Sequence, residues 1–180
     1  MNKVIIENSK RVKRDAHKLL VDSGLIEILG RFGKVELTGS YALDLMLTGD
    51  IDIHLFGDFE RDRAILILNE LIKNTKFTGY MFFDWVSFRN PNFPTGYYLG
   101  LKQKVDGYEK QWKIDIWLIK KARKESIKYM ELVKNCTEEQ KEAILVLKEW
   151  RDKNDPGLSS TKIYDAVLRE GIRTVSGFLK

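Results

Sequence analysis

Two short motifs in the first third of the chain carry residue types that can hold a metal ion and a phosphate. The stretch LTGSYALDLMLTGDIDIHLF contains Gly39-Ser40 and, after a spacer of nine residues, Asp50 and Asp52 in an apolar run. Alternation places the two Asp residues and His54 on one face of a strand, with the Asp backbones about 6 to 7 Å apart. Two carboxylates at this spacing repel each other unless a cation neutralises them, and such oxygen donors suit Mg²⁺ or Mn²⁺.

The Gly-Ser pair predicts a phosphate site beside these carboxylates. Gly39 lets the backbone approach a ligand closely, and Ser40 is predicted to open a short helix, whose first N–H groups favour an anion. A phosphate site next to a carboxylate pair is the combination that a metal-bound triphosphate needs. An EF-hand calcium loop is excluded, because this chain has Leu55 and Arg61 where that loop needs Gly and Glu.

A third carboxylate would complete such a site, and Asp115 is the preferred candidate. It lies between Ile114 and Ile116 in a segment of strand character, and it would share a face with the first two carboxylates if the strands are neighbours. Asp84, which also lies in a predicted strand, and Asp44 are the alternatives. Asp84 stays open as a rival for the third position.

Basic and aromatic residues near these motifs give weaker signals. Lys113 shares the predicted face of Asp115, so it is preferred over Lys102 and Lys104 for neutralising a triphosphate or attracting an acceptor. His54 fits a polar strand residue better than a ligand. Four aromatic residues could line an acceptor groove or stack on a base, with core packing as the simpler interpretation: Phe93, Tyr97, Tyr98 and Trp117.

The composition indicates one folded domain, with room for a small helical appendage. Of the 180 residues, 43% are apolar and 11% are aromatic, which is enough for a sizeable core. The single cysteine, Cys136, excludes an internal disulfide and a Cys-based zinc cluster. The first residues lack the pattern of a secretory signal, and no run approaches the roughly 18 apolar residues of a membrane span. We therefore expect a cytoplasmic protein without a membrane segment.

Positive charge is concentrated in one part of the chain. The net charge is +5, and residues 101–130 hold nine Lys or Arg against four Asp or Glu. Such a segment favours phosphate-bearing partners, although a solvated lysine-rich face is the simpler interpretation of the charge alone.

Hydrophobic periodicity predicts a helix, then a mixed α/β core, then a helical tail. Predicted helices cover residues 5–29 with a break at 23–24, then 40–47, 60–74, 137–153 and 160–170. Predicted strands cover residues 34–37, 50–56, 80–88, 97–105 and 112–119, the last two joined as a hairpin across 106–107. The prediction is an α+β fold: residues 1–120 form a mixed sheet of four to five strands with helices on one side, and residues 121–180 form a helical segment packed on it.

The combined pattern resembles the nucleotidyltransferase superfamily related to DNA polymerase β. The resemblance rests on Gly39-Ser40, the nine-residue spacer, Asp50-Ile51-Asp52-Ile53 and the distant Ile114-Asp115-Ile116, and it covers residues 35–119. It implies a mixed sheet with helices on one side. It also implies transfer of a nucleoside monophosphate from an NTP to a hydroxyl, with release of pyrophosphate. The distance from Asp52 to Asp115 exceeds that in the smallest members, so residues 75–110 would add a strand or an enlarged hairpin.

The resemblance implies a role for each site residue. Gly39 and Ser40 would hold the β- and γ-phosphates of the NTP. Asp50 and Asp52 would bind the nucleotide metal, Mg²⁺ or Mn²⁺. Asp115 would bind a second metal and orient or deprotonate the acceptor hydroxyl.

The acceptor is left open by the sequence. Small members of the superfamily modify tRNA ends, proteins or antibiotics, and some belong to toxin–antitoxin or phage-defence systems. The basic segment, residues 101–130, tilts the expectation toward RNA. The alternative function is a catalytically silent nucleotide- or RNA-binding module of the same fold, and a third is a protein that binds a partner through its helical tail. Many minimal members lack room for a full acceptor site in one chain, so a homodimer is a further expectation.

Overall fold

The computed structural model describes residues 2–180 and contains one five-stranded mixed sheet. The strands are β1 (Lys34–Thr38), β2 (Asp50–Phe56), β3 (Gly79–Asp84), β4 (Tyr97–Gln103) and β5 (Trp112–Ile119). Their order is β1-β2-β5-β4-β3, with β2 and β5 parallel and the other neighbours antiparallel. The parallel pair brings together two strands that are about sixty positions apart in sequence, and these are the strands that carry the candidate carboxylates.

Eight helices precede, separate and follow these strands along the described part of the chain. They are α1 (Asn2–Asp22), α2 (Leu25–Gly30), α3 (Gly39–Ala42), α4 (Arg61–Asn74), α5 (Lys124–Lys134), α6 (Glu138–Asn154), α7 (Ser160–Leu168) and α8 (Val175–Phe178). The predicted α+β fold with a mixed sheet and C-terminal helices is confirmed. Among residues 2–180, no helix is long and apolar enough to cross a membrane.

The two faces of the sheet differ because side chains alternate along each strand. One face carries fully buried residues such as Ile51, Ile53 and Ile116, which form the main core together with α1, α2 and α4. The opposite face carries Asp52 and Asp115 and stays partly open. Burial of the apolar face therefore fixes the register, and the register fixes where the polar side chains lie.

A second, smaller core joins the C-terminal helices to the rest of the chain. Buried residues of α6 and α7 pack against Leu43 and Leu45, which follow α3, and against Ile5 of α1. The predicted capping box opens α6: Gln140 N–H donates to Thr137 Oγ1, and Thr137 N–H donates to Gln140 Oε1. The boundary predicted between residues 120 and 121 stays a prediction.

Four predicted elements end earlier than the sequence pattern indicated, among them the helix predicted over residues 160–170, which ends at Leu168. β3 stops at Asp84, because the Asp84 carboxylate accepts hydrogen bonds from the N–H groups of Val86 and Ser87 and closes a turn. The helix after Gly39 has only four residues, and Asp44 beyond it takes a positive φ of 60°. β4 ends at Gln103, so a longer loop than a tight hairpin leads to β5.

Candidate active site

Three carboxylates lie on the partly open face of the sheet. Asp50 and Asp52 lie on β2, and Asp115 lies on β5 directly opposite Asp52 in the parallel register. Neighbouring strands are about 4.8 Å apart, so the side chains of directly opposed residues face one small region. The structure therefore brings together the three carboxylates that the sequence analysis selected.

Both oxygens of Asp115 have partners. Tyr98 Oη donates to Asp115 Oδ1 at 2.6 Å, and Lys113 Nζ lies 2.8 Å from Asp115 Oδ2 and 3.4 Å from Asp50 Oδ1. Burial alone would lower the pKa of Lys113, but the two carboxylates outweigh it and raise that pKa. Burial, then the hydrogen bond to Asp115, raises the pKa of Tyr98. Lys113 is thus a cation held between two of the carboxylates.

Asp52 is the carboxylate whose charge is least compensated. Burial raises its pKa from 3.8 to about 7, and the negative charges of Asp50 and Asp115 add to that effect. The pKa of Asp50 is also raised, first by burial, while Lys113 opposes the rise. A half-buried carboxylate beside two others favours either a proton or a bound cation.

The turn before β2 lies against this carboxylate. Gly39 has a φ of +59°, and a Cβ at this position would overlap the carboxylate of Asp52. Only glycine combines this backbone conformation with so close an approach. The Ser40 hydroxyl accepts a hydrogen bond at 2.7 Å from Nζ of Lys148, a residue of α6. The predicted Gly-Ser turn and the Asp pair therefore form one continuous surface.

We predict that Gly39→Ala lowers both stability and nucleotide binding. The added methyl group would have to displace either the Asp52 side chain or the turn, and alanine at positive φ is strained by roughly 1–2 kcal/mol. Urea denaturation should show a loss of about that size or more, and NTP-dependent thermal stabilisation should disappear. Gly107→Ala is the matched control, because Gly107 also has positive φ, 82°, but open space around it. Equal losses of nucleotide binding in both variants would contradict the prediction.

Lys148 is a polar residue of this site that the sequence analysis missed. It is only 3% exposed, and its ammonium donates to Ser40 Oγ and to the backbone oxygen of Leu45, both at 2.7 Å. Burial, reinforced by the nearby charge of Arg151, lowers its pKa to about 8. The only sequence signal was that position 148 falls one helical turn after Ile144, on the buried side of α6. A buried, paired lysine next to the turn is a cation poised for an anionic ligand.

Further polar side chains of α6 and α7 lie near Lys148 in the chain or on the next helix. Arg151 donates to Ser160 Oγ at 2.8 Å and pairs with Asp152 at 2.6 Å. Between the sheet and these helices lies a cavity of about 530 Å³. Its lining includes Ser40, Asp50, Asp52, Trp117, Lys148 and Arg151. The cavity is large enough for a small-molecule ligand, and both cationic and carboxylate side chains line it.

The rival carboxylates lie elsewhere. Asp84 belongs to the edge strand β3, and it caps the turn that ends this strand, which lowers its pKa through the hydrogen bonds from Ser87 and Val86. Asp44 pairs with Lys13. His54 lines the cavity near Glu36, and burial lowers its pKa. Of the candidates for a third carboxylate, only Asp115 lies opposite Asp52.

The donor chemistry of the three carboxylates fits a hard divalent cation. Oxygen ligands on adjacent strands and the raised pKa of Asp52 indicate a place where a double positive charge would be stabilised. Within residues 2–180, no three His, Cys, Asp or Glu side chains are already gathered around one point as a bound metal would require. The fit is therefore one of donor type and charge.

We predict that Tyr98→Phe destabilises the protein by disturbing Asp115. The variant removes the hydroxyl that donates to Asp115 Oδ1, and hydrogen bonds to charged groups contribute about 1.5–3 kcal/mol. Urea denaturation should show a loss of that order. Tyr80→Phe is the control, because Tyr80 bonds the neutral hydroxyl of Thr75. An equal effect of the two variants would argue against a special role of the Asp115 contact.

Comparison with known proteins identifies the family of the chain. The sequence model described as "Nucleotidyltransferase domain" matches residues 23–146, which include the turn, the Asp pair and Asp115. No curated protein matches the chain.

Solved structures share the fold. A Cid1 poly(U) polymerase variant bound to MgATP superposes with a TM-score of 0.64 at 19% identity, covering 97% of this chain and 56% of that chain. Cid1 in complex with the UTP analogue UMPNPP gives 0.62 at 19% identity, covering 93% and 53%. A cytoplasmic RNA terminal U-transferase gives 0.56 at 18% identity, covering 89% and 54%. The chain spans about half the length of these proteins, and identities this low establish the fold alone. Because the family model covers more than half of the chain, the protein belongs to the nucleotidyltransferase domain family.

Proposed function

We propose that the protein transfers a nucleoside monophosphate from an NTP to a hydroxyl acceptor and releases pyrophosphate, in a reaction that needs Mg²⁺ or Mn²⁺. The observation that supports this most directly is the row of Asp52 and Asp115 beside the turn at Gly39 and the ammonium of Lys148. Ser40 and Lys148, which suit an anion, line the same cavity as the carboxylates of Asp50 and Asp52.

The triphosphate would lie along the cationic wall of the cavity. Lys148 would exchange its contact with Ser40 for a phosphate oxygen, leaving the Ser40 hydroxyl free to donate to another. Arg151 and Ser160 extend the same wall toward α7. These groups would hold the leaving pyrophosphate as its charge develops, which is where fixed positive charge lowers the barrier most.

The carboxylates would act at the reacting phosphate, at the other end of the triphosphate from the groups that hold the leaving pyrophosphate. Asp50 and Asp52 would hold the nucleotide metal, and Asp115 would hold the second. When bound, a divalent ion would neutralise charge on the phosphates and on the leaving group. Asp115 would orient the acceptor hydroxyl and accept its proton as the oxygen–phosphorus bond forms and the bond to pyrophosphate breaks. Tyr98 and Lys113 would keep Asp115 in position.

RNA is our proposed acceptor class. The basic segment at residues 101–130 supports this proposal. So does the likeness to Cid1, whose RNA terminal uridylyl transferase activity and complex with the short product ApU are described for that protein. A protein or a small molecule is the other outcome of an acceptor screen. A cytoplasmic location, a homodimer and the division into a core of 1–120 and a helical segment of 121–180 stay predictions from the sequence.

A catalytically silent binding module is the competing function. In its favour, Lys113 already pairs with Asp50 and Asp115, which reduces the need for a metal there. The two proposals differ in metal dependence, because a silent module would bind an NTP with little contribution from the carboxylates.

The test is thermal stability with each of the four NTPs, with and without Mg²⁺ or Mn²⁺. A ligand at 100 times its dissociation constant stabilises a protein by about 2.7 kcal/mol. We expect a metal-dependent shift in the wild type and none in Asp50→Asn/Asp52→Asn. Asp22→Asn/Asp106→Asn removes the same charge from exposed positions and should behave like the wild type. A shift that does not need metal favours the silent module, and no shift with any NTP contradicts both.

A further inference from the structure

Six aromatic side chains form a continuous cluster beside the candidate carboxylates, and we name it the aromatic track. Its members are Phe83, Trp85, Phe88, Phe93, Tyr98 and Trp117. Ring centroids lie 4.9 Å apart for Trp85 and Phe93, 5.0 Å for Tyr98 and Trp117, and 5.6 to 6.0 Å for the other adjacent pairs. The track belongs to the partly open face of the sheet and to the loop after β3, so it is not part of the main core.

The track runs from the cavity to solvent. Trp117 lines the cavity together with Pro94. At the outer end Phe88 is 70% exposed, Phe83 46% and Phe93 42%. A contiguous patch of exposed apolar rings is typical of an interaction surface. A hydrogen bond from a distant residue anchors the loop that carries Phe93. Arg123 donates at 2.7 Å to the backbone oxygen of Asn92.

The sheet register places three residues of the track in the row next to the carboxylates. Trp117 pairs with His54 on one side and with Tyr98 on the other, and Tyr98 pairs with Phe83. The adjacent row contains Asp52, Asp115 and Gly100. At Gly100 an added Cβ would lie 2.7 Å from Tyr98 Oη, so this glycine leaves the space through which the Tyr98 hydroxyl reaches Asp115. One side chain therefore belongs both to the track and to the site.

Positive residues lie on the strands and loop that carry this surface, or directly follow them in the chain. On the other side of the carboxylate row, Lys113 lies opposite Lys102 across β5 and β4. Arg89 is exposed in the loop of the track, and Lys121 and Lys124 are exposed beyond β5. Exposed aromatic faces combined with cations are the surface that single-stranded nucleic acids bind, because bases stack on rings while phosphates pair with cations. An acceptor that is a globular protein would not require this interleaving of charge.

We infer that the aromatic track is the acceptor subsite and that the acceptor is a single-stranded nucleic acid. Its unpaired terminal bases stack on Phe88, Phe93 and Trp117, which directs the terminal hydroxyl toward Asp115. This inference rests on the proposed function, and it specifies that a base-paired end is a poor acceptor because its bases are already stacked.

The test measures binding of a fluorescein-labelled single-stranded RNA of about 12 nucleotides, a length in the range of such sites. Fluorescence anisotropy at low salt would compare the wild type with Phe88→Ala/Phe93→Ala. Stacking by these rings predicts a loss of affinity of about 10-fold or more. Leu66→Ala/Ile72→Ala is the matched control, because these residues are exposed to a similar extent on α4, which packs on the opposite face. A blunt duplex of the same sequence should bind more weakly than the single strand.

One further variant and three measurements, of the NTP shift, of RNA binding and of self-association, make the outcome decisive. Phe88→Ala alone, at the most exposed ring, keeps the test valid if the double variant does not fold. The metal-dependent NTP shift should be unchanged in both Phe variants, because it reports the donor site. RNA binding that is absent, or equal in wild type and variants, while that NTP shift persists would overturn the acceptor subsite and leave the proposed function standing. Self-association that the Phe variants abolish, measured by sedimentation, would overturn it in favour of a contact between copies.

Discussion

Replacing Asp52 by Asn should make the nucleotide-free protein more stable at pH 8 while abolishing nucleotidyl transfer. Burial and the charges of Asp50 and Asp115 raise the pKa of Asp52 from 3.8 to about 7. A carboxyl group with a raised pKa favours the folded state fully below its unfolded pKa, and this contribution is lost as the pH rises through the folded pKa. At pH 8 the wild type therefore holds a half-buried charge that asparagine does not carry.

The gain in stability of Asp52→Asn should depend on pH. The stability difference between Asp52→Asn and the wild type should be smallest near pH 4, grow between pH 4 and 7, and level off above pH 8. Each unit of pKa shift corresponds to about 1.4 kcal/mol, so the plateau should reach a few kcal/mol at most. Urea denaturation at a series of pH values measures it. Asp58→Asn is the control, because Asp58 is exposed and pairs with Lys120, and a similar gain there would contradict the assignment.

The same variant should lose activity, because the negative charge whose removal stabilises the free protein is also the charge proposed to bind the metal. Asparagine is a poor ligand for a divalent cation compared with a carboxylate, so in the proposed mechanism the negative charge of the triphosphate would no longer be compensated. We expect a fall in turnover on the order of 10²–10³-fold or more, the size seen when one electrostatic contact to a transition state is removed. Pyrophosphate release in the presence of NTP, metal and single-stranded RNA measures it. Activity near the wild-type level would contradict the role of Asp52.

The parts of this site that follow local periodicity could be predicted from sequence. Asp50 and Asp52 fall two residues apart in an alternating strand, so their common face follows from strand geometry alone. Asp115 needed one further assumption, that its strand neighbours β2, and the flanking isoleucines indicated a buried strand of the right kind. The parallel pairing of β2 with β5 confirms that assumption.

The parts that depend on distant contacts could not be predicted. Lys148 reaches Ser40 across 108 positions, and the helical pattern of α6, which places it one turn after the buried Ile144, does not indicate which distant group it contacts. Tyr98 contacts Asp115 only because Gly100 leaves space beside it. The end of β3 was missed because a local side-chain contact, that of Asp84 with the N–H groups of the next turn, outweighed strand propensity.

Replacing Lys148 by Met should weaken NTP binding strongly and change stability little. Methionine has similar length and no charge, so the variant loses two hydrogen bonds but also the cost of burying an ammonium, which is the main reason that the pKa of Lys148 falls to about 8. These effects oppose each other in the free energy of unfolding. In the proposed complex, nothing offsets the loss of the contact between Lys148 and the triphosphate. Contacts of this charged kind contribute about 1.5–3 kcal/mol, or roughly 10- to 150-fold in affinity.

The pH dependence of NTP affinity separates a direct contact of Lys148 from a structural role. A lysine with a lowered pKa is charged in the folded protein only below that pKa, so wild-type affinity for the metal–NTP complex should fall as the pH rises from about 8 toward 10. Calorimetric titration should show this decline in the wild type and in Lys153→Met, which alters an exposed lysine of the same helix. Lys148→Met should bind weakly at every pH in this range and show no such decline. A variant that binds as tightly as the wild type at pH 7, or that keeps the decline, would remove Lys148 from the triphosphate site and leave it as a structural link between α6 and the turn at Ser40.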